Sequence, residues 1–295
     1  MADPSFAGSG VALVTPFDGD RIAESVLREL IRFHHDSGTD ALIICGSTGE
    51  AATMSADEQR QAVEIAIDEN AGRLPIIVGC GGSSTRDVVA LGEQAMKAGA
   101  DALLISGPPY NKPTQKGLVL HVRAVLDATD APVILYNVPG RSAVNMLPAT
   151  VAELASDDRI IGVKEASGDL SQVAEVARLT RGRLELYSGN DDQVLPVMSL
   201  GGRGVISVLA NVAPVAVSRM VKAYLEGKTA EATSIQLQYV PLIQALFVES
   251  NPIPVKAAVG MLGYKVGRMR LPLTEVTPAT RERLDEAMRD VGLLD

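Results

Sequence analysis

The sequence predicts an α/β fold, a (β/α)8 TIM barrel with a C-terminal helical extension. Three observations predict it: short apolar segments recur along the chain, helix-like segments separate them, and 295 residues leave room for eight such units. Eight strand–helix units in about 225 residues match the count and size of this barrel. The alternative, a doubly wound open sheet, usually has a Gly-rich phosphate turn after its first strand. Here that strand ends in Val14-Thr15-Pro16-Phe17 without a G-x-G-x-x-G pattern, so the barrel is favoured.

Eight apolar segments are each too short for a helix, rich in β-branched residues and bounded by Gly, Pro, Asp or Ser, which is typical of buried parallel strands. They are 10–15, 41–45, 75–79, 102–106, 132–136, 160–164, 184–187 and 204–208.

Helical patterns lie between these segments, at 55–70, 87–98, 115–128, 170–179 and 214–226. The first begins with Ser55 and Glu58 at capping-box spacing. Residues 229–295 have helical periodicity without a further strand pattern, and no Pro/Gly/Ser-rich linker precedes them. We therefore predict a catalytic barrel over 1–228 and a helical extension over 229–295 that packs on it.

The composition excludes several classes of function. A net charge of −9 has the wrong sign for binding a phosphate backbone, and the absence of Trp removes a base-stacking platform. Cys45 and Cys80, with three histidines, form no metal-ligand pattern. No signal peptide or membrane span is recognised, so a reducing cytoplasm is the expected location.

Lys164 ends the sixth predicted strand. Alternation puts Ile161 and Val163 on the face toward the helices and Lys164 on the face toward the barrel interior. Burial should lower its pKa from about 10.4 toward about 7–8, which corresponds to roughly 4 kcal/mol of destabilised ammonium. A neutral amine is what Schiff-base catalysis needs. The alternative is a structural lysine that pairs with a neighbour such as Glu50.

Two further strand ends carry candidate site residues. Tyr136 ends the preceding strand and faces the same way, so its phenol should lie beside the Lys164 amine; the alternative is a core tyrosine with its hydroxyl on a backbone carbonyl. Segment 46–50, Gly-Ser-Thr-Gly-Glu, follows the second strand. Its N–H groups suit a carboxylate, although taken alone it is an ordinary turn.

Together, seven motifs resemble those of the dihydrodipicolinate synthase (4-hydroxy-tetrahydrodipicolinate synthase) family of pyruvate-dependent class I aldolases. They occur in the expected order over nearly the whole chain: 46–50, 109–113, 136–141, 162–167, 188–190, 201–211 and 251–256. The resemblance implies that Lys164 forms an imine with pyruvate, whose enamine condenses with aspartate semialdehyde. Gly189 and the carbonyl of Ile206 would line the site. No cofactor is implied, because the imine is itself the electron sink.

The same resemblance assigns the other roles. Tyr136, Ser47 and Tyr110 would form a proton relay, with Tyr110 reaching in from a partner subunit of a homotetramer built from tight dimers. Ser47 and Thr48 would hold the pyruvate carboxylate. Arg141 would bind the carboxylate of aspartate semialdehyde, which suits its bidentate guanidinium.

Two departures and two alternatives remain. Synthases often have Thr where Ser47 stands, and two adjacent Tyr where this chain has Pro109 and Tyr110. A related aldolase, such as N-acetylneuraminate lyase or a keto-sugar-acid lyase, is one alternative, although Arg141 and the segment 251–256 favour the synthase. A non-catalytic barrel that senses a small acid is the other, but a sensor has no need of an inward neutral lysine.

Some synthases of this family are inhibited by lysine at a dimer-interface cleft. Most of the polar and aromatic groups of that cleft are replaced here, and the aligned residues are Ala51, Ala56, Gln59, Ser83, Asp87 and Pro109. Only the acid, Asp87, is retained as a charge partner. The sequence therefore predicts weak or absent inhibition by lysine.

Overall fold

The structure, a computed structural model, describes residues 4–295 and contains a closed barrel of eight parallel strands. The barrel strands, β1 to β8, are Gly8–Ala12, Ala41–Ile44, Ile76–Cys80, Ala102–Ser106, Val133–Asn137, Ile160–Glu165, Glu185–Ser188 and Gly204–Ser207. Each strand pairs with its neighbours in chain order, and β8 closes the barrel on β1. A short antiparallel hairpin, Phe17–Asp18 with Arg21–Ile22, follows β1. The predicted fold class is confirmed.

The helices α1 to α12 are Glu24–Asp36, Ala56–Asn70, Thr85–Ala98, Gln115–Thr129, Pro139–Ser142, Pro148–Leu154, Leu170–Thr180, Val194–Ser199, Pro214–Leu225, Thr229–Leu246, Ile253–Met261 and Pro278–Asp290. The capping box predicted for α2 is present, because Ser55 Oγ accepts the Glu58 N–H and the Glu58 carboxylate accepts the Ser55 N–H. The bounds of the five predicted helices agree with the structure to within two residues.

The first strand begins and ends earlier than the apolar pattern predicts. Its start, Gly8, pairs with Gly204, where a Cβ would lie only 1.8 Å from the Gly8 carbonyl oxygen. Val14 is buried, yet its N–H bonds to the Asn211 side chain and not to a neighbouring strand. The Leu13 N–H still bonds to the Ile43 carbonyl oxygen of β2, so the apolar pattern extends past the strand at Val14 and Thr15, which are buried without pairing to a strand.

Apolar side chains form two layers. One fills the barrel interior and consists of Phe6, Ala12, Ala41, Ile43, Ile77, Ala102, Leu104, Ile134, Tyr136, Val138, Tyr187 and Ile206. The other, which includes Val163, lies between the strands and the helices. Ile161 packs against the interior layer, so the prediction that it faces the helices is wrong. The reason is a register shift in the pairing of β5 with β6, beside Ile161, which interrupts the alternation before Gly162.

All regular secondary structure after α9 is helical. Helix α10 packs on α9 and α12, and α11 packs on α10 and α12. The division into a barrel over 1–228 and an extension over 229–295 stays a prediction. Nowhere in residues 4–295 does a helix combine the length and the apolar character needed to cross a membrane.

Candidate active site

Lys164 and Tyr136 lie side by side at the carboxyl ends of β6 and β5. They are direct partners in the strand register, and Lys164 is only 4% exposed. The Lys164 Nζ atom lies 4.4 Å from the centre of the Tyr136 ring. The Tyr136 hydroxyl makes no hydrogen bond within residues 4–295, whereas Tyr187 donates its own to the Phe6 carbonyl oxygen. Tyr187 is therefore a core tyrosine with its hydroxyl on a backbone carbonyl, and Tyr136 is not.

The surroundings of this pair shift Lys164 toward its neutral form. Burial lowers the pKa of Lys164 to about 7; the Asp191 carboxylate opposes that effect and the Arg141 cation adds to it. Burial also raises the pKa of Tyr136, and here the Arg141 cation opposes the effect of burial. The alternative pairing of Lys164 with Glu50 is wrong, because the Glu50 carboxylate is bonded to Lys256 Nζ at 2.5 Å.

The turn over residues 46–50 follows Cys45 (φ 57°) and ends at Glu50 (φ 56°), and both of these residues have left-handed backbone. The N–H groups of Gly49 and Glu50 bond to carbonyl oxygens inside the turn. Those of Ser47 and Thr48 make no hydrogen bond within the part of the chain that the structure describes. Two adjacent free donors suit a carboxylate, as the Gly-Ser-Thr-Gly-Glu pattern predicts.

Thr48 and Arg141 are joined through one residue of the C-terminal part of the chain. Asn251 Nδ2 donates to Thr48 Oγ1 at 2.9 Å, and Arg141 Nη2 donates to the Asn251 carbonyl oxygen at 2.9 Å. Thr48 is buried while Ser47 and Arg141 are exposed. The guanidinium, carried by the short helix α5, is therefore open to a second anion.

Gly189 follows β7 and lies against the lysine. A Cβ at this position would be 3.1 Å from Lys164 Cε and 2.6 Å from Ala166 Cβ, so any larger residue would displace the amine. Ile206 is fully buried on β8, where it belongs to the interior layer and pairs with Gly10. Both residues thus belong to the inner part of the barrel, with Gly189 closing one side of the lysine.

Tyr110 is not brought to this site within the chain. Its side chain is 90% exposed in the loop between β4 and α4, on a residue with φ of 69°. It has no hydrogen bond or ring contact within residues 4–295. A single chain therefore brings Tyr136 to Lys164 but does not bring Tyr110, the relay residue expected from a partner subunit.

Sequence reasoning missed one buried acid close to the lysine. Asp191 accepts hydrogen bonds from Ser207 Oγ (2.5 Å) and from the N–H groups of Val208 (3.0 Å) and Leu209 (2.9 Å). Burial raises its pKa, against these hydrogen bonds and the charge of Lys164. Two adjacent acids, Asp191 and Asp192, are typical of an exposed turn, and only the position after the seventh strand could have marked the first of them.

The arrangement suits one class of enzyme, a Schiff-base-forming lyase on a barrel, because that chemistry uses a buried amine of lowered pKa. Residues 5–291 match the family model described as the Dihydrodipicolinate synthetase family. The chain belongs to this family.

Full-length relatives agree with this assignment. The chain is 51% identical to the 4-hydroxy-tetrahydrodipicolinate synthase of Thermoanaerobacter sp. (strain X514), over 99% of this chain and 98% of that one. It superposes on the crystal structure of the dihydrodipicolinate synthase from Thermotoga maritima with a TM-score of 0.96, at 39% identity over 98% and 99% of the two chains. A structure described as the first monomeric dihydrodipicolinate synthase variant also gives 0.96, at 39% identity over 98% of both chains. These comparisons confirm the predicted family and its lyase activity in lysine and diaminopimelate biosynthesis.

Proposed function

We propose that the chain condenses pyruvate with aspartate 4-semialdehyde to 4-hydroxy-tetrahydrodipicolinate through an imine on Lys164. The observation that carries this proposal is the buried lysine at the end of β6, whose pKa of about 7 leaves the amine available as a nucleophile. Lys164 Nζ attacks the keto carbon of pyruvate, and the adduct loses water to form the imine. Loss of a methyl proton converts the imine into the enamine.

The second half of the reaction closes the ring. The enamine carbon attacks the aldehyde carbon of aspartate semialdehyde, whose oxygen takes up a proton and becomes the hydroxyl group. The amino group of the same substrate then attacks the imine carbon, which forms the ring and releases the Lys164 amine. One water is lost in total, and no oxidant or reductant is required.

The remaining residues are assigned to binding and proton transfer. The free N–H groups of Ser47 and Thr48 support binding of the pyruvate carboxylate. Because Thr48 Oγ1 accepts from Asn251, its own proton is free for a carboxylate oxygen. The Tyr136 ring lies 4.4 Å from Lys164 Nζ and its hydroxyl has no hydrogen bond within residues 4–295, which supports a role in proton transfer with Ser47 and a partner's tyrosine. Gly189 and the Ile206 carbonyl would line the imine.

A homotetramer of tight dimers, working in the cytoplasm, is part of the same proposal. The Tyr110 side chain, which is 90% exposed, supports a partner that covers it, and the existence of a solved monomeric variant supports oligomers among the unaltered relatives. Cys45 and Cys80 are buried and free, which supports a reducing location.

Parallel assays test the proposed reaction. Pyruvate plus aspartate semialdehyde should give product at a much higher kcat/KM than pyruvate plus N-acetylmannosamine. A preference for N-acetylmannosamine would assign the chain to the N-acetylneuraminate lyases. Turnover of neither substrate pair would favour the alternative of a non-catalytic barrel that senses a small acid.

Arg141→Ala is expected to raise the KM for aspartate semialdehyde about 10- to 100-fold, the scale of a lost hydrogen bond to a charged group. The KM for pyruvate should change far less, because its carboxylate is assigned to the 46–50 turn. Steady-state kinetics with each substrate varied in turn measures both values. Arg178→Ala, which removes an exposed arginine paired with Glu175, is the control. Equal effects on both substrates would refute the assignment of Arg141.

Tyr110→Phe is expected to lower kcat about 100-fold or more while leaving the oligomer intact. Mixing this variant with Lys164→Met, after dissociation and reassembly, should restore about a quarter of the wild-type activity, since half the dimers are mixed and one of their two sites is complete. Full activity of Tyr110→Phe alone, or no restoration on mixing, would contradict the relay across subunits.

Lysine at sub-millimolar concentration is expected to leave the activity unchanged. The Gln59 amide already donates to the Ala51 carbonyl, and the Ser83 hydroxyl to the Pro109 carbonyl. Each hydrogen bond that free lysine would make in the cleft of an inhibited relative and cannot make here weakens its binding by roughly 1 kcal/mol. Titrating lysine into the coupled assay measures this, and clear inhibition below about 1 mM, a binding energy of about 4 kcal/mol, would refute the prediction.

A further inference from the structure

The segment 251–256 comes from the C-terminal part of the chain, yet it contacts the turn at 46–50 in two places. Asn251 Nδ2 donates to Thr48 Oγ1, and Lys256 Nζ donates to Glu50 Oε1 at 2.5 Å. The two contacts join residues that are more than two hundred positions apart in the sequence. The turn that carries the free N–H groups of residues 47 and 48 is thus held from outside the barrel strands.

The contact between Lys256 and Glu50 is a fully buried ion pair, with side chains 2% and 0% exposed. Lys256 Nζ also donates to the Arg268 carbonyl oxygen at 3.2 Å and lies 4.4 Å from the centre of the Phe17 ring. The second oxygen of Glu50 accepts the N–H of Arg270 at 3.2 Å. Both charged groups therefore make hydrogen bonds beyond their contact with each other, which a buried ion pair requires in order to persist.

Buried ion pairs contribute little net stability compared with apolar residues of the same size, and one of their attested uses is to fix a particular geometry. Here the ion pair holds a residue with an unusual backbone conformation. Glu50 has left-handed backbone, which costs a non-glycine residue free energy and persists only where the surroundings enforce it. The carboxylate that Lys256 holds belongs to this strained residue.

We propose that Lys256 is a positioning residue, which holds the 46–50 turn through Glu50 so that its free N–H groups can bind the carboxylate of the keto acid. The proposal rests on the proposed function, since it names the substrate that the turn receives. Without the pair, the Glu50 backbone is free to leave the left-handed region, and the N–H groups of residues 47 and 48 are no longer held in place. Pyruvate binding and imine formation should then suffer, while the site for the second substrate is spared.

Lys256→Met tests this inference, because it keeps the length of the side chain and removes the charge. The KM for pyruvate is expected to rise about 10- to 100-fold, the scale of a displaced binding group, with a smaller change for aspartate semialdehyde at saturating pyruvate. Sodium borohydride reduces the imine between pyruvate and Lys164 and so traps it covalently. The pyruvate concentration that gives half-maximal trapping should rise by the same factor. Lys228→Met, the same change at an exposed pair with Glu226, should leave every value at wild type.

A second variant covers the case in which Lys256→Met does not fold. Glu50→Gln combined with Lys256→Met leaves no unpaired buried charge and should show the same split between the two substrates. A folded variant that binds pyruvate like wild type would overturn the inference, as would equal losses for both substrates, which indicate a purely structural role. If wild type itself forms no reducible adduct with pyruvate, the proposed function fails instead.

Discussion

Lys164→Met is expected to lower kcat by at least about 10⁴-fold, since the nucleophile that forms the imine is absent. The fold should survive, because methionine matches the length of lysine and suits a position that is only 4% exposed. Circular dichroism and thermal unfolding check the fold, and Lys228→Met is the matched control. Retention of more than a small fraction of activity would exclude covalent catalysis by Lys164.

The same residue sets the expected pH dependence. Burial lowers the pKa of Lys164 to about 7, so the neutral amine prevails above this pH and the ammonium below it. The value of kcat/KM for pyruvate should therefore be level above pH 7 and fall about tenfold per pH unit below it. An apparent pKa near 10.4, the value of an exposed lysine, would mean that the amine is not desolvated in solution.

Tyr136→Phe is expected to lower kcat by about 10²- to 10⁴-fold, the usual scale of acid–base assistance. A phenyl ring fills nearly the same volume, and the missing hydroxyl has no hydrogen bond within residues 4–295, so stability should change little. The loss should therefore be catalytic.

Tyr187→Phe is the matched control for this prediction. It removes a hydroxyl from the same interior layer, but one that bonds to the Phe6 backbone at both N–H and carbonyl. We expect it to cost about 1 kcal/mol of stability and to retain most of the activity. Similar kinetic losses in both variants would assign Tyr136 a packing role only.

Local patterns in the sequence predicted what depends on neighbouring residues. Strand alternation over three residues was enough to place Lys164 inward, and the register then brought Tyr136 beside it. The same alternation failed for Ile161, because the register shift beside it depends on the pairing with β5 and leaves no mark in the residues of β6.

Contacts between distant parts of the chain could not be predicted from such local patterns. The sequence marked Glu50 as a partner for a buried lysine, but the lysine is Lys256, which a helix of the C-terminal region delivers. Asp191 was missed for the same reason, since its burial depends on Ser207 at the end of β8 and on the loop that follows, which together donate three hydrogen bonds to it. Only the resemblance of motif 251–256 indicated that this part of the chain matters to the site.

Trapping with pyruvate and sodium borohydride tests the central claim most directly, because reduction fixes the imine on the lysine that formed it. Peptide mass spectrometry of the inactivated protein should locate the adduct on the peptide that contains Lys164. Lys256, the other buried lysine, is held by Glu50 and the Arg268 carbonyl and should remain unmodified. An adduct on Lys256 or on an exposed lysine, with Lys164 unmodified, would contradict the account.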